Sequence, residues 1–145
     1  MIIPYNKKEY VNLLDFVQNY VNDDFYITKN NQRLIIKDYK TLNLFLKESF
    51  NIYICKEKDI QGVIALWKAK VKEIIRSYVK LNATDKKVAD KLLDILVSNY
   101  NNDLYVKIRK DSEFLEIFKR RGFKFFGDRG SQLLLYRQKI KEETN

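Results

Sequence analysis

The chain has 145 residues, a mass of 17.5 kDa and a formal net charge of +9 at pH 7. This length predicts one domain, and a hydrophobic fraction of 46% is sufficient to fill a single core. Because the chain has no histidine and one cysteine, it excludes histidine-ligated zinc, thiolate metal clusters, internal disulfides and Ser-His or Cys-His nucleophile pairs.

The first fifty residues predict two helices on either side of a β-hairpin. Apolar residues recur at helical spacing over residues 7–21. Two β-rich runs, residues 25–28 and 33–36, flank a polar segment and predict the hairpin. Residues 39–50 predict a second, short helix.

The middle of the chain predicts three strands followed by a helix. The strands are expected at residues 51–56, 63–67 and 72–81. Thr84 is the expected N-cap of a helix that runs to about residue 98, with Asp85 in its first turn.

The last third predicts a strand, a helix and a hairpin. The strand is expected at residues 104–109 and the helix at residues 112–121, directly before Gly122 and Phe123. A hairpin of residues 124–126 and 132–136 follows, with its turn at residues 127–130. The order of all these elements predicts a mixed α/β (α+β) topology, with helices packed on a central sheet.

From about residue 52 to residue 137, this order resembles the GNAT superfamily of N-acyltransferases, in which a helix ending in Gly-Phe separates two strands. The resemblance implies one GNAT-like domain over residues 1–145, with about six to seven strands flanked by about four helices. Within it, residues 1–50 would form the substrate-facing part, 51–100 the central strands and cofactor-loop helix, and 101–145 the closing strand, helix and hairpin. The implied cofactor is acetyl-CoA, without a metal, and the implied acceptor is a small-molecule or protein amine.

In GNAT proteins, a loop of the pattern Arg/Gln-x-x-Gly-x-Gly/Ala cradles the pyrophosphate of coenzyme A at a helix N-terminus. Alignment on Leu92 and Leu93 places this loop at residues 84–89, and Val79 and Leu81 would then supply strand backbone near the acyl group. The implied cofactor-binding residues of the loop are Thr84, Asp85, Lys86, Lys87, Val88 and Ala89.

This loop departs from the family pattern. Ala89 keeps the last small position, but Thr84 replaces the usual Arg or Gln, and Lys87 replaces the first glycine. Lys86 and Lys87 could instead supply ammonium groups to the phosphates. The alternative is an ordinary capped amphipathic helix with solvated lysines.

The positions before Gly122 and Phe123 also differ from the family. Counting back gives Asp111, Phe114 and Phe118, where GNAT proteins usually have Asn, Ala and Tyr. Asp111 keeps hydrogen-bonding ability and is an implied cofactor contact, but Phe118 has no proton to give to a thiolate. Phe114 is bulky where the pantetheine arm usually passes. The alternative is that Phe114 and Phe118 form the buried face of a helix.

Two residues remain as candidates for catalysis. Glu73, at the start of the strand before the cofactor loop, is the candidate general base, and Tyr78 is a substitute acid. Glu73 could equally be an exposed strand-edge charge, and Tyr78 a tyrosine of the core or sheet face.

The net charge of +9 and the sequence pI of about 9.5 suit an anionic partner. An A/T-rich genome, bacterial or phage, would also raise the lysine content without selection for a polyanion. A basic stretch interleaved with phenylalanines favours nucleic acid, because cations neutralise phosphates and aromatic rings stack on bases. Its residues are Lys107, Arg109, Lys110, Lys119, Arg120, Arg121, Lys124, Phe125, Phe126 and Arg129.

Three functions are therefore open. The first is an N-acetyltransferase-like protein that binds acetyl-CoA and transfers acetyl to an amine by direct attack. The second is a catalytically degenerate GNAT-fold binding or structural module of phage origin. The third is a basic nucleic-acid-binding domain. Since no apolar run of about 18 residues and no signal-peptide pattern are present, we expect a cytoplasmic protein that does not enter a membrane.

Overall fold

The computed structural model describes residues 1–141 and contains a seven-stranded sheet, four α-helices and a separate hairpin. In chain order, the elements are β1 (Ile2–Pro4), a 3₁₀ turn (Lys7–Glu9), α1 (Tyr10–Asn19), β2 (Tyr26–Lys29), β3 (Gln32–Ile35), α2 (Tyr39–Glu48), β4 (Ser49–Lys56), β5 (Ile60–Val71), β6 (Ile74–Ala83), α3 (Lys86–Asn99), β7 (Leu104–Arg109), α4 (Leu115–Arg120), β8 (Lys124–Arg129) and β9 (Gln132–Arg137). The predicted mixed α/β fold is confirmed.

The main sheet has the strand order β1-β4-β5-β6-β7-β9-β8. β6 and β7 pair in parallel, whereas the other neighbouring strands pair antiparallel. The parallel pair follows from the chain order, because α3 carries the chain from the end of β6 back to the start of β7. Among the described residues, no helix is long and apolar enough to cross a membrane.

The two faces of the sheet form two separate cores. Along β5, Ile64 and Leu66 point to the core under α3 and α4, whereas Val63 and Ala65 point to the core under α1 and α2. This alternation is the two-residue period of a strand that is buried on both faces. The α3 side is built mostly of Leu, Val and Phe, and the α1 side also receives the β2–β3 hairpin.

Two predicted boundaries around β6 were wrong. β6 begins at Ile74 rather than Lys72, because Lys72 has a φ of 58° and forms the turn from β5 together with Glu73. The N-cap of α3 is Asp85 rather than Thr84, since the Asp85 carboxylate accepts from the Val88 N–H at 2.9 Å. The Thr84 N–H instead donates to the Gln61 carbonyl at 2.8 Å, which extends the contact between β5 and β6 by one residue.

The last hairpin also differs from its prediction. Its turn lies at Gly130 and Ser131 rather than residues 127–130, and Gly130 has a φ of 76°, which favours glycine. β8 therefore continues to Arg129. Phe125 pairs with Leu135 and Gly127 with Leu134, so Phe126 is an extra residue in a β-bulge. The edge strand β1 was not predicted, because three residues ending in Pro4 give too short a pattern.

Candidate functional site

The parallel strands β6 and β7 pair at their first common positions and then diverge. Their register joins Ser77 to Leu104 and Tyr78 to Tyr105. Residues 79–83 of β6 and residues 106–109 of β7 continue past that point on two sides of a gap. Val79 and Leu81 line this gap, and both are buried in the core under α3 and α4. This is the position at which the GNAT resemblance places the acyl-thioester.

Aromatic side chains fill the gap between the diverging strands. Phe114 and Phe118 line it and are 4% and 1% exposed. Phe118 packs edge-on against Phe123, with ring centroids 5.1 Å apart. The cavity that remains has a volume of about 10 Å³. Since one water needs roughly 10–15 Å³ of such space, the gap has room for about one water and not for an extended cofactor arm.

The loop after α1, residues 20–24, closes the same gap at the ends of both strands. The Asp24 carboxylate accepts from the backbone N–H of Arg109 on β7 at 3.1 and 3.2 Å, and from Gln132 Nε2 at 3.1 Å. On β6, Asn82 Nδ2 donates to the Tyr20 carbonyl at 2.7 Å. One loop is therefore hydrogen-bonded to both diverging strands.

The N-terminus of α3 already has an anion of its own. The Asp85 carboxylate accepts from Val88 N–H, and the Asp85 carbonyl accepts from Ala89 N–H at 3.1 Å. Lys86 and Lys87 are exposed, whereas Val88 and Ala89 are buried against the sheet. A carboxylate at this place competes with a bound phosphate for the N–H groups and for the helix dipole.

Carboxylates also surround the outer end of β7. Asp111 is exposed and lies 3.3 Å from Arg109 Nε, and Asp23 binds Arg109 Nη1 at 2.8 Å. A surface cavity of about 230 Å³ here is lined by Asp23, Asp24, Asp111 and Glu113. The predicted cofactor contact Asp111 thus lies in an acidic environment. Within residues 1–141, no three Asp, Glu or Cys side chains form a group that could hold a metal ion.

The two candidate catalytic residues are not brought together, because Glu73 lies before β6 and Tyr78 lies within it. Glu73 is exposed in the turn that precedes β6, at the opposite end of the strand from α3. Tyr78 is 7% exposed and lies in register with Tyr105. Its neighbour in sequence, Val79, faces the α3 core, so Tyr78 points to the other face of the sheet.

A buried lysine on that other face was not predicted. Lys80 is 8% exposed, and its Nζ lies 4.1 Å from the centre of the Tyr26 ring on the β2–β3 hairpin. Burial, followed by the nearby charges of Lys107 and Arg33, lowers the pKa of Lys80 from 10.5 to about 7. Alternation along β6 predicts only that Lys80 faces away from Leu81, because its burial depends on the distant hairpin.

The strands β6 to β9 carry a row of aromatic rings on this face. Tyr78, Tyr105 and Tyr136 are in register across three strands. The ring centroids of Tyr105 and Tyr136 are 5.0 Å apart, and the Phe126 ring lies 5.7 Å from Tyr105 and 5.4 Å from Tyr136. The bulge places Phe126 on this side, whereas Phe125 pairs with Leu135 on the α3 side.

Cationic side chains accompany these rings. The guanidinium of Arg76 lies 4.6 Å from the centre of the Tyr105 ring, and Lys107 Nζ lies 5.5 Å from that of Tyr78. Arg129 shares the face through its pairing with Gln132. We define the aromatic-basic face as the surface formed by Tyr105, Tyr136, Phe126, Arg76, Lys107 and Arg129.

No protein-family model and no curated protein match this sequence. Solved structures do. The ribosomal-protein-S5-alanine acetyltransferase from Vibrio fischeri superimposes with a TM-score of 0.65 at 12% identity, covering 99% of this chain and 94% of that chain. The ribosomal-protein-S18-alanine N-acetyltransferase from Escherichia coli gives 0.63 at 8% identity, covering 100% and 97%.

A third structure contains the cofactor of that fold. The PaiA N-acetyltransferase from Thermoplasma acidophilum, in complex with coenzyme A, superimposes with a TM-score of 0.57 at 11% identity and covers 95% of this chain and 98% of that chain. At such low identity, these similarities establish the fold and not the activity. The chain has the GNAT fold.

Proposed function

We propose that this chain is a GNAT-fold binding module that does not transfer acyl groups. One observation carries the proposal: the gap between β6 and β7, where the fold would hold an acyl-thioester, has a cavity volume of about 10 Å³. The residues around this gap do not fit the cofactor that the fold implies, because Phe114 and Phe118 occupy its place.

Two further features support the loss of cofactor binding. The loop of residues 20–24 is hydrogen-bonded across the strand ends, so side-chain movement of Phe114 alone would not open the gap. The Asp85 carboxylate occupies the N-terminus of α3, and Asp111 adds a second negative charge near β7. A pyrophosphate at the N-terminus of α3 would meet the Asp85 carboxylate, a like charge that disfavours its binding.

Acetyl-CoA-dependent N-acyl transfer is the second candidate, and the divergence of β6 and β7 favours it. In this case Val79 and Leu81 would contact the acyl end, and the α3 loop with Lys86 and Lys87 would contact the phosphates. Lys80, with a pKa of about 7, is the group on β6 that could accept a proton from an amine at neutral pH. Glu73 is at the wrong end of β6 for that role.

Calorimetric titration with acetyl-CoA separates the two candidates. We expect no binding at millimolar cofactor for the wild-type protein and no thioester release with a panel of amines. Micromolar binding that is lost in Lys87→Glu, but kept in the control Lys119→Glu on α4, would overturn the proposal. Acetyl transfer to any amine at catalytic turnover would overturn it as well.

A further inference from the structure

The cations of the aromatic-basic face, Arg76, Lys107 and Arg129, form no ion pairs with acids among the described residues. The positions of β6 to β9 on this side also include the buried Lys80 and the exposed Lys124 but no carboxylate. The acid Asp103, directly before β7, lines a surface cavity with Arg76 and Tyr105. This imbalance contrasts with the other end of β7, where Arg109 is held by Asp23 and Asp111.

These cations lie close enough to repel one another in the isolated protein. Burial, and then the charges of Arg129, Arg33 and Arg76, lower the pKa of Lys107. The Nε of Arg76 is buried and has no hydrogen-bond partner among the described residues. A buried donor without a partner is destabilising. An anion bound at this face would relieve the repulsion among these cations.

The rings on the face restrict the kind of anion. Phe126 is 48% exposed, and with Tyr105 and Tyr136 it forms a cluster of three rings within 5.0–5.7 Å of one another. Exposed rings next to Arg and Lys combine stacking on planar groups with neutralisation of phosphates, as in proteins that bind single-stranded nucleic acid. A duplex would offer the phosphates but would keep its bases stacked within the helix.

We propose that the aromatic-basic face binds single-stranded nucleic acid, with bases on the rings of Phe126, Tyr105 and Tyr136 and phosphates on Arg76, Lys107 and Arg129. The β2–β3 hairpin bounds this surface at one end, where Arg33 Nη2 and the Tyr26 hydroxyl both bind Gln132 Oε1, at 3.0 and 3.2 Å. The opposite side of the sheet, with α3 and α4, takes no part in this binding.

Fluorescence anisotropy with labelled oligo(U) and oligo(dT) of about 12 nucleotides tests the proposal. We expect saturable binding that weakens steeply between about 50 and 200 mM salt, with a log–log slope of about −0.7 for each phosphate contact. A preference for oligo(U) or oligo(dT) would identify the polymer. Equal binding of a duplex of the same length, equal competition by polyglutamate, or no binding at low salt would overturn the proposal.

The neighbouring residues Phe125 and Phe126 provide a matched pair, because they point to opposite faces. Phe126→Ala should weaken binding about tenfold, since stacking contributes about 1–3 kcal/mol per base. Phe125→Ala, at a side chain that is 66% exposed, should leave affinity unchanged. Arg129→Gln should reduce the slope of log affinity against log salt concentration. Arg120→Gln on α4 should leave that slope unchanged. Equal effects within either pair would overturn the assignment of the face.

Thermal unfolding of each variant shows whether it is folded. Since all four side chains are exposed, we expect each variant to keep its fold. The nucleic-acid proposal does not depend on the fate of the acyl-CoA site. If acetyl-CoA were found to bind, its affinity should be the same in Phe126→Ala as in wild type, because Phe126 lies outside the gap. The two proposals can therefore fail separately.

Discussion

The strands β6 and β7 have one closed side and one open side. Toward α3, Val79 and Val106 face a gap that Phe114 and Phe118 fill. Toward the hairpin, the alternate residues are tyrosines and lysines, including Tyr105, which remains partly exposed. The closed side is tightly packed around a cavity of about 10 Å³. The open side carries Arg76 and Lys107, which form no salt bridge among the described residues.

This difference separates a side that packing explains from a side that packing does not explain. A packed apolar side is explained by stability alone, because burial of Leu, Val and Phe drives folding. The unpaired donor of Arg76 and the buried Lys80 oppose stability and need another reason. The following predictions test the contrast, in order of decreasing effect.

Removal of one aromatic ring from each side should give the largest difference in the free energy of unfolding. Phe118→Ala creates a cavity in a fully packed core and should lower the free energy of unfolding by about 3–5 kcal/mol. Phe126→Ala, at a ring that is 48% exposed and contacts Tyr105 and Tyr136, should lower it by about 1 kcal/mol. Denaturant unfolding measures both, and similar losses for the two variants would remove the contrast.

The buried lysine should make stability depend on pH. Its folded pKa of about 7 lies below the usual 10.5, so the unfolded chain binds more protons between these values and the free energy of unfolding rises with pH there. Lys80→Met should be more stable than wild type at pH 7, with the difference shrinking by about 2 kcal/mol toward pH 9.

Unfolding curves at several pH values provide the measurement, and Lys86→Met, at an exposed position, is the control. Asp24 is the acid that opposes the shift of Lys80, whereas Lys107 and Arg33 increase it. Parallel curves for wild type and Lys80→Met would show that Lys80 keeps an ordinary pKa.

The closed side should resist even one added methyl group. A Cβ on Gly62 would lie 2.8 Å from side-chain atoms of Leu92 and Val88 and 3.0 Å from the Asn82 carbonyl oxygen. Gly62→Ala should therefore cost about 1.5 kcal/mol through overpacking. Gly127→Ala is the control, since its Cβ at 2.8 Å would meet only the flexible end of Arg129; an equal loss would argue against tight packing of α3.

Removal of the N-cap of α3 should give the smallest loss in the free energy of unfolding. Asp85→Ala should cost about 1 kcal/mol in thermal or denaturant unfolding, whereas Asp85→Asn keeps an acceptor and should lose less. Thr84→Ala should have little effect, because the structure assigns Thr84 no capping bond. A larger loss at Thr84 than at Asp85 would restore the cap predicted from the sequence.

Local patterns predicted most of the elements, but not the site. The helical and strand periods predicted the four helices, both hairpins and the strands β4 to β9, which gave the GNAT fold. They could not predict that Asp24 binds the backbone of Arg109, 85 residues away, or that the hairpin covers Lys80. Both contacts depend on tertiary packing. The cytoplasmic location and the phage origin remain predictions.

The bulge at Phe126 also affects how the sheet ends. β8 is the outer strand on one side, and the other outer strand, β1, has three residues ending in Pro4. A long, regular outer strand offers free N–H and C=O groups to another chain, and bulges, prolines and charged side chains oppose such pairing. Deletion of Phe126 would straighten β8, so the shortened protein should self-associate through this edge more strongly than the natural chain does at the same concentration.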